Sequence, residues 1–189
     1  MAQKFTPLER RRFLSAVETE TTDGSVMSPL ASCEVSVLTG FMTVSEKGLA
    51  RLAKRISSWT AGASQVKPCA TLVVLSGNLG SGKTTFIKYL ARAFKIKSKV
   101  HSPTFVFVHE YHFPKSNAQF LKLIHIDAYR MEKRSDVAAT GIKQYLKDPQ
   151  NLVLIEWGER ISKWIPKPDL TIKFLHHTPK LRKIRLLQN

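Results

Sequence analysis

Residues 71–94 read TLVVLSGNLGSGKTTFIKYLARAF, and this stretch decides the fold. Thr71 to Leu75 is a short continuous apolar run of the kind that fills a central strand covered on both faces. Gly77 to Thr84 then gives the spacing Gly-x4-Gly-Lys-Thr. Glycines let the backbone wrap with its N–H groups turned inward on a polyphosphate, and the helix that follows adds the positive end of its dipole. Lys83 is placed to reach β- and γ-phosphates, while the Thr84 hydroxyl suits Mg²⁺, which prefers oxygen ligands. Phe86, Ile87, Leu90, Ala91 and Phe94 recur at helical steps. Strand, glycine loop and helix in this order are the context the motif requires. The chain is therefore expected to bind ATP with Mg²⁺.

Such a site also needs an acid at the end of a second buried strand beside the phosphate loop. Leu152-Val153-Leu154-Ile155-Glu156 supplies one after four apolar residues, and Leu123-Ile124-His125-Ile126-Asp127 supplies another through an alternating pattern. Both remain candidates on pattern alone. His125 shares a face with Asp127, but no third ligand accompanies them, so a zinc site is not expected. Trp157 is placed either against a nucleotide base or over the sheet edge. Guanine reading calls for Asn-Lys-x-Asp, and Pro166-Lys167-Pro168-Asp169 lacks the amide, which favours ATP over GTP.

Further out, Thr43-Val44-Ser45-Glu46 has the pattern of a capping box, and Leu49, Leu52, Ala53, Ile56 and Trp59 line one face of the helix it announces. Ala61 to Pro68 reads as a connection. Thr104 to Phe113 alternates as a strand, with Phe105, Phe107, His109, Tyr111 and Phe113 on one side; Leu121 to Asp127 is another. Lys133 to Leu146 reads as helix, and LTIKFL and LRKIRLL around His176-His177-Thr178-Pro179 as a terminal hairpin. The expected architecture is α/β: an extension over residues 1–40, then one P-loop domain over 41–189.

Composition agrees with a soluble chain. Of 189 residues 43% are hydrophobic, and no stretch approaches the ~18 apolar residues of a membrane span. Cys33 and Cys69 have no zinc-like or disulfide spacing, which fits a reducing cytoplasm. Arg10-Arg11-Arg12-Phe13-Leu14 resembles a twin-arginine signal, but the acids and hydroxyls that follow are not its apolar segment. The formal charge of +16 is uneven, because residues 1–40 hold four Lys/Arg against five Asp/Glu and leave 26 against nine for the rest. From Arg160 to Asn189 eight Lys/Arg face one acid, Asp169. Such a field attracts nucleic acid or acidic protein surfaces.

GNLGSGKTT, HSPTF, HIDAYR and LIEWGER, in this order and at these separations, resemble the TsaE (YjeE) family across roughly residues 43–187. That resemblance implies a mainly parallel central sheet extended by antiparallel strands. It implies an ATPase of tRNA threonylcarbamoyladenosine biosynthesis that works with the TsaB and TsaD proteins, with tRNA met directly or through their complex. It further implies that Gly77, Asn78, Leu79, Gly80, Ser81, Gly82, Lys83, Thr84 and Thr85 hold the phosphates and that Thr84 and Glu156 share Mg²⁺. Ser102 and Thr104 would form a switch-like loop near the γ-phosphate, Asp127 would sit by the attacking water or its metal, Trp157 would lie near the nucleotide, and Thr43 to Glu46 near the adenine. Two positions depart from the family: Asn78 stands where Asp is usual, and Gly158 where Pro is common after Glu-Trp. A kinase with a small-molecule or nucleoside acceptor, and an ATP-gated tRNA-binding module without turnover, are the alternative readings.

Overall fold

The computed structural model describes residues 40–63, 67–117 and 119–188. The proposed extension, Cys33 and the arginine run at Arg10 lie outside these, apart from Gly40. In chain order the elements are β1 (Met42–Ser45), α1 (Glu46–Ala63), β2 (Thr71–Ser76), α2 (Lys83–Ala93), β3 (Val108–His112), β4 (Lys122–Asp127), α3 (Arg134–Ala139), α4 (Ile142–Lys147), β5 (Asn151–Glu156), a 3₁₀ turn (Gly158–Ile161), β6 (Leu170–His176) and β7 (Leu181–Gln188). The strands form one seven-stranded sheet in the order β1-β7-β6-β2-β5-β4-β3. The pairs β2–β6, β2–β5 and β5–β4 are parallel, and the outer pairs β1–β7, β6–β7 and β3–β4 are antiparallel. The expected α/β architecture, parallel in the centre and antiparallel at its margins, is thus observed.

A strand covered on both faces sends alternate side chains into different cores. In β2, Val73 and Leu75 join the cluster under α1 and α2, whereas Leu72 and Val74 join the cluster under α3, α4 and the 3₁₀ turn. β5 divides in the same way, with Leu152 and Leu154 on the first face and Val153 and Ile155 on the second. The predicted apolar face of α1, from Leu49 to Trp59, is buried in the first cluster. Phe86 of α2 is fully buried there, its ring edge-on to Phe174 at 5.8 Å between centroids. Among the described residues, no helix is long and apolar enough to cross a membrane.

Four expectations need correction. Thr43 does not cap α1, because β7 takes residues 42–45 as a strand partner; the hydroxyl that meets the helix is that of Ser45, which accepts from the Gly48 N–H at 3.2 Å. Helix α1 also continues through residues 61–63, expected to be loop. The strand expected from Thr104 begins only at Val108, since the N–H groups of Val106 and Phe107 both turn back to the Pro103 carbonyl. Phe107 adopts φ 64° and Phe105 is 80% exposed. The helix expected over 133–146 is two short ones, separated where Gly141 takes φ 67°. The terminal hairpin forms as expected.

Gly158, the position where proline is common, is buried against β2. A Cβ there would lie 2.6 Å from Val74 Cγ1 and 2.9 Å from Cγ2, closer than packed atoms approach. Gly158→Ala is expected to cost about 1–3 kcal/mol through overpacking. The double variant with Val74→Ala should lose less than the two single losses combined. Denaturant unfolding of all four proteins checks this, and strict additivity would show that Val74 is not the obstacle.

Candidate nucleotide-binding site

The parity of the strands assembles the site. Leu123, His125 and Asp127 of β4 and Leu152, Leu154 and Glu156 of β5 point to the α2 side of the sheet, and the register sets Asp127 directly opposite Glu156 and Glu156 opposite Leu75. Both carboxylates therefore emerge at the C-terminal ends of parallel strands, where β2 passes into the glycine loop. This is the crevice in which open α/β sheets bind ligands.

The loop itself is shaped by close approach. A Cβ on Gly77 would lie 2.1 Å from the Phe174 carbonyl oxygen, so β6 leaves room there only for glycine. Gly82 takes φ 104° and begins α2 without a side-chain cap. The first N–H groups of α2 consequently face outward as donors for an anion. Ser81 adds a fully buried hydroxyl that has no hydrogen-bond partner among the described residues. Lys83 is 4% exposed, and its ammonium donates to the carbonyls of Gly77 at 2.6 Å and Asn78 at 3.0 Å while lying 3.9 Å from the centre of the Trp157 ring. Burial pushes its pKa down, against the opposing pull of Glu156, Glu159 and Asp127. A donor set of buried ammonium, orphan hydroxyl and open helix end fits phosphate.

Thr84 and Glu156 meet across 72 residues of sequence: the hydroxyl lies 2.8 and 2.9 Å from the two carboxylate oxygens. Glu156 also bonds to His125 Nε2 at 2.9 Å. Hydroxyl and carboxylate oxygens are the ligand types Mg²⁺ takes, with waters and substrate oxygens completing its shell. Asp127 is tied differently. Its Oδ2 accepts from the Thr104 hydroxyl and from Ser102 at 3.3 Å, while its Oδ1 accepts from the Tyr129 N–H at 2.9 Å. The HSPTF segment is thereby fastened to the carboxylate.

Two cavities flank the loop. The smaller, about 120 Å³, is lined by Leu79, Gly80, Lys83 and Thr84 together with Ser102, Thr104, Asp127, Glu156 and Trp157. Trp157 thus belongs to the lysine end of the site, its N–H donating to Leu75 and its ring packed on Tyr129 at 5.0 Å. The larger, about 520 Å³, opens beyond Gly82 and Thr85 and is walled by Ser45 and Glu46 of the β1–α1 junction and by Arg182 of β7. Thr43 is not among its walls. Sequence reasoning missed Arg182, whose Nε would lie 3.5 Å from a Cβ on Gly82 and whose guanidinium is held by the carbonyls of Thr178, Pro179 and Leu181. Its only signal was its place in a basic C-terminal run. Asp169, at the failed guanine motif, accepts from the Leu72 N–H and pairs with Lys67.

The profile described as "Threonylcarbamoyl adenosine biosynthesis protein TsaE" matches residues 43–184. The chain is 39% identical over 101 residues to the tRNA threonylcarbamoyladenosine biosynthesis protein TsaE of Bacillus subtilis, a match that covers 53% of this chain and only 59% of that protein. The Treponema pallidum TsaE is 32% identical across 66% of this chain and 87% of its own length, and the Aquifex aeolicus TsaE 37% across 61% and 74%. The crystal structure of YdiB from Bacillus subtilis superposes with a TM-score of 0.54 at 24% identity over 79% of this chain and 88% of that one, a likeness of fold. With its glycine loop, paired strand-end acids and HSPTF segment all inside the matched region, the chain belongs to the TsaE family.

Proposed function

We propose that this chain is a Mg²⁺-dependent ATPase that serves tRNA threonylcarbamoyladenosine biosynthesis in the cytoplasm together with TsaB and TsaD. The observation that carries the reading is the Thr84–Glu156 contact beside the buried Lys83, because it joins a metal-binding oxygen pair to a phosphate loop. In this reading the nucleotide lies along the loop, with base and ribose in the cavity beyond Gly82 and Thr85 and the γ-phosphate between Lys83 and Asp127. Arg182 lies at the sugar end, where a cation suits the α-phosphate.

The reaction is in-line attack of water on the γ-phosphorus, with cleavage of the bond to the β–γ bridging oxygen and release of ADP and phosphate. The terminal phosphate draws the Lys83 ammonium from the Gly77 and Asn78 carbonyls, which is a charge-assisted exchange. Asp127 accepts a hydrogen bond from the attacking water and so orients it. Because the Ser102 and Thr104 hydroxyls already donate to Asp127, the γ-phosphate competes with that carboxylate for them. Mg²⁺ held by Thr84 and Glu156 would neutralise charge on the phosphate oxygens.

Apolar exposure around the mouth supports action in a complex. Leu79 and Phe105 are each 80% exposed and Val106 58%, all beside the lysine-end cavity or its switch segment. A partner seated on this rim would exclude water from the γ-phosphate.

Purified protein is expected to hydrolyse ATP slowly and to turn over faster with TsaB, TsaD and tRNA. Glu156→Ala or chelation of Mg²⁺ should abolish the stimulated rate, measured as phosphate release. Equal rates with and without partners would remove the partner reading. Label passing from the γ-phosphate to an organic acceptor would replace hydrolysis with a kinase. Lys83→Ala should reduce kcat/KM by about ten- to a hundredfold or more, the loss of a charge-assisted contact of ~1.5–3 kcal/mol. An unaffected Lys83→Ala enzyme would take the phosphate site away from this loop.

A further inference from the structure

Among the described residues, one face of the half-sheet farthest from β3 carries no apolar cluster. Ile172, Phe174, Ile184 and Leu186 turn into the cluster under α1 and α2. The intervening residues Lys173, Leu175, Lys183 and Arg185 must then project from the opposite side. The second apolar cluster draws strand members from β2, β4 and β5 but none from β1, β6 or β7, so among the described residues no apolar packing covers them.

The charges on this face are set against one another. Lys173 stands directly opposite Arg185, and Lys183 stands opposite Leu175 on one side and Thr43 on the other. Neighbours across a ladder have Cβ atoms about 5 Å apart, and like charges so placed destabilise a sheet. No Asp or Glu occurs in β1, β6, β7 or the turn between the last two, and among the described residues none of the three cations makes an ion pair. Among the described residues the buried Nε of Arg185 has no hydrogen-bond partner, and its guanidinium lies 6.0 Å from the Phe41 ring, itself 42% exposed. Leu175 is 43% exposed in the same field.

We infer that the open face of β6, β7 and β1, with Lys173, Lys183 and Arg185 at its centre, binds the phosphate backbone of structured RNA. Closely spaced cations without carboxylates match a polyanion that carries one charge every few ångströms. An exposed aromatic beside an arginine adds a surface on which a base or ribose stacks, which favours RNA over an acidic protein. The face lies across the sheet from the nucleotide loop, so RNA and ATP need not compete for side chains. Naming RNA rests on the chain's place in tRNA modification; it does not depend on hydrolysis.

The test uses the full chain and an unmodified tRNA transcript, with affinity followed by fluorescence anisotropy as salt is raised. A Lys173→Gln, Lys183→Gln, Arg185→Gln variant should bind at least tenfold more weakly at low salt. Its slope of log affinity on log salt should be shallower by about 2–3, as expected for the loss of three phosphate contacts. A variant of equal charge change on the α2 side, Lys88→Gln, Lys97→Gln, Lys99→Gln, should keep most of the wild-type affinity and slope. Equal losses in the two variants, or none in the first, overturn the assignment to this face. Nucleotide binding and ATP turnover measured on the same preparations separate this outcome from failure of the ATPase reading, because the face variant should retain both.

Discussion

Glu156 is a carboxylate only 3% exposed, and a charge taken so far out of water must be met by hydrogen bonds or it destabilises the fold. Thr84 from α2 and His125 from β4 meet it, so three elements brought together by the parallel sheet converge on one side chain. The rest of the site follows from that convergence. Thr84 cannot reach Glu156 unless the loop turns at Gly77 and Gly82, and His125 cannot unless β4 and β5 hold their register. His125 is itself fully buried, and among the described residues its Nδ1 has no partner. The ring therefore contributes through Nε2, as a fixed contact to the carboxylate.

The nucleotide loop and the central strands were legible in the sequence because two signals coincide there: unbroken apolar runs and an obligatory glycine spacing. Both strand-end acids could be named, but pattern gave them no different duties. Their separation is a matter of register and loop contact, since Glu156 faces the loop threonine while Asp127 is occupied by Ser102 and Thr104. Apolar alternation misled at Phe105 to Phe107. Alternation there suggests a half-buried strand, whereas tertiary structure makes a turn that exposes Phe105 and Val106 and packs Phe107 against the second cluster. β1 was concealed for another reason: four residues carry little pattern, and pairing with β7, far along the chain, decides their state. Arg182 escaped notice because only the hairpin brings it over Gly82.

The molecule also divides its work between the faces of one sheet. The α2 side carries the buried carboxylates and lysine beside the glycine turns. At the margin beyond β2 the other side, among the described residues, carries no apolar cluster and bears the exposed Lys173 with the half-buried Lys183 and Arg185. Neither face could be built without the other, since the residues that anchor the hairpin in the core alternate with those that charge its surface.

The placement of β2 between β5 and β6 has a temporal side. Its partners lie roughly eighty and a hundred residues later in the chain, and such non-local parallel pairings must bear the entropy of closing long loops before they gain contacts. A ribosome-bound chain that has completed the glycine loop and α2 still lacks both flanks of the strand beneath them. The Thr84–Glu156 contact can close only after β5 has emerged, and the Phe174 carbonyl that confines Gly77 arrives later still with β6. On the proposed reading nucleotide binding is therefore a late event in the life of the nascent chain, and ATP would stabilise only a nearly finished fold.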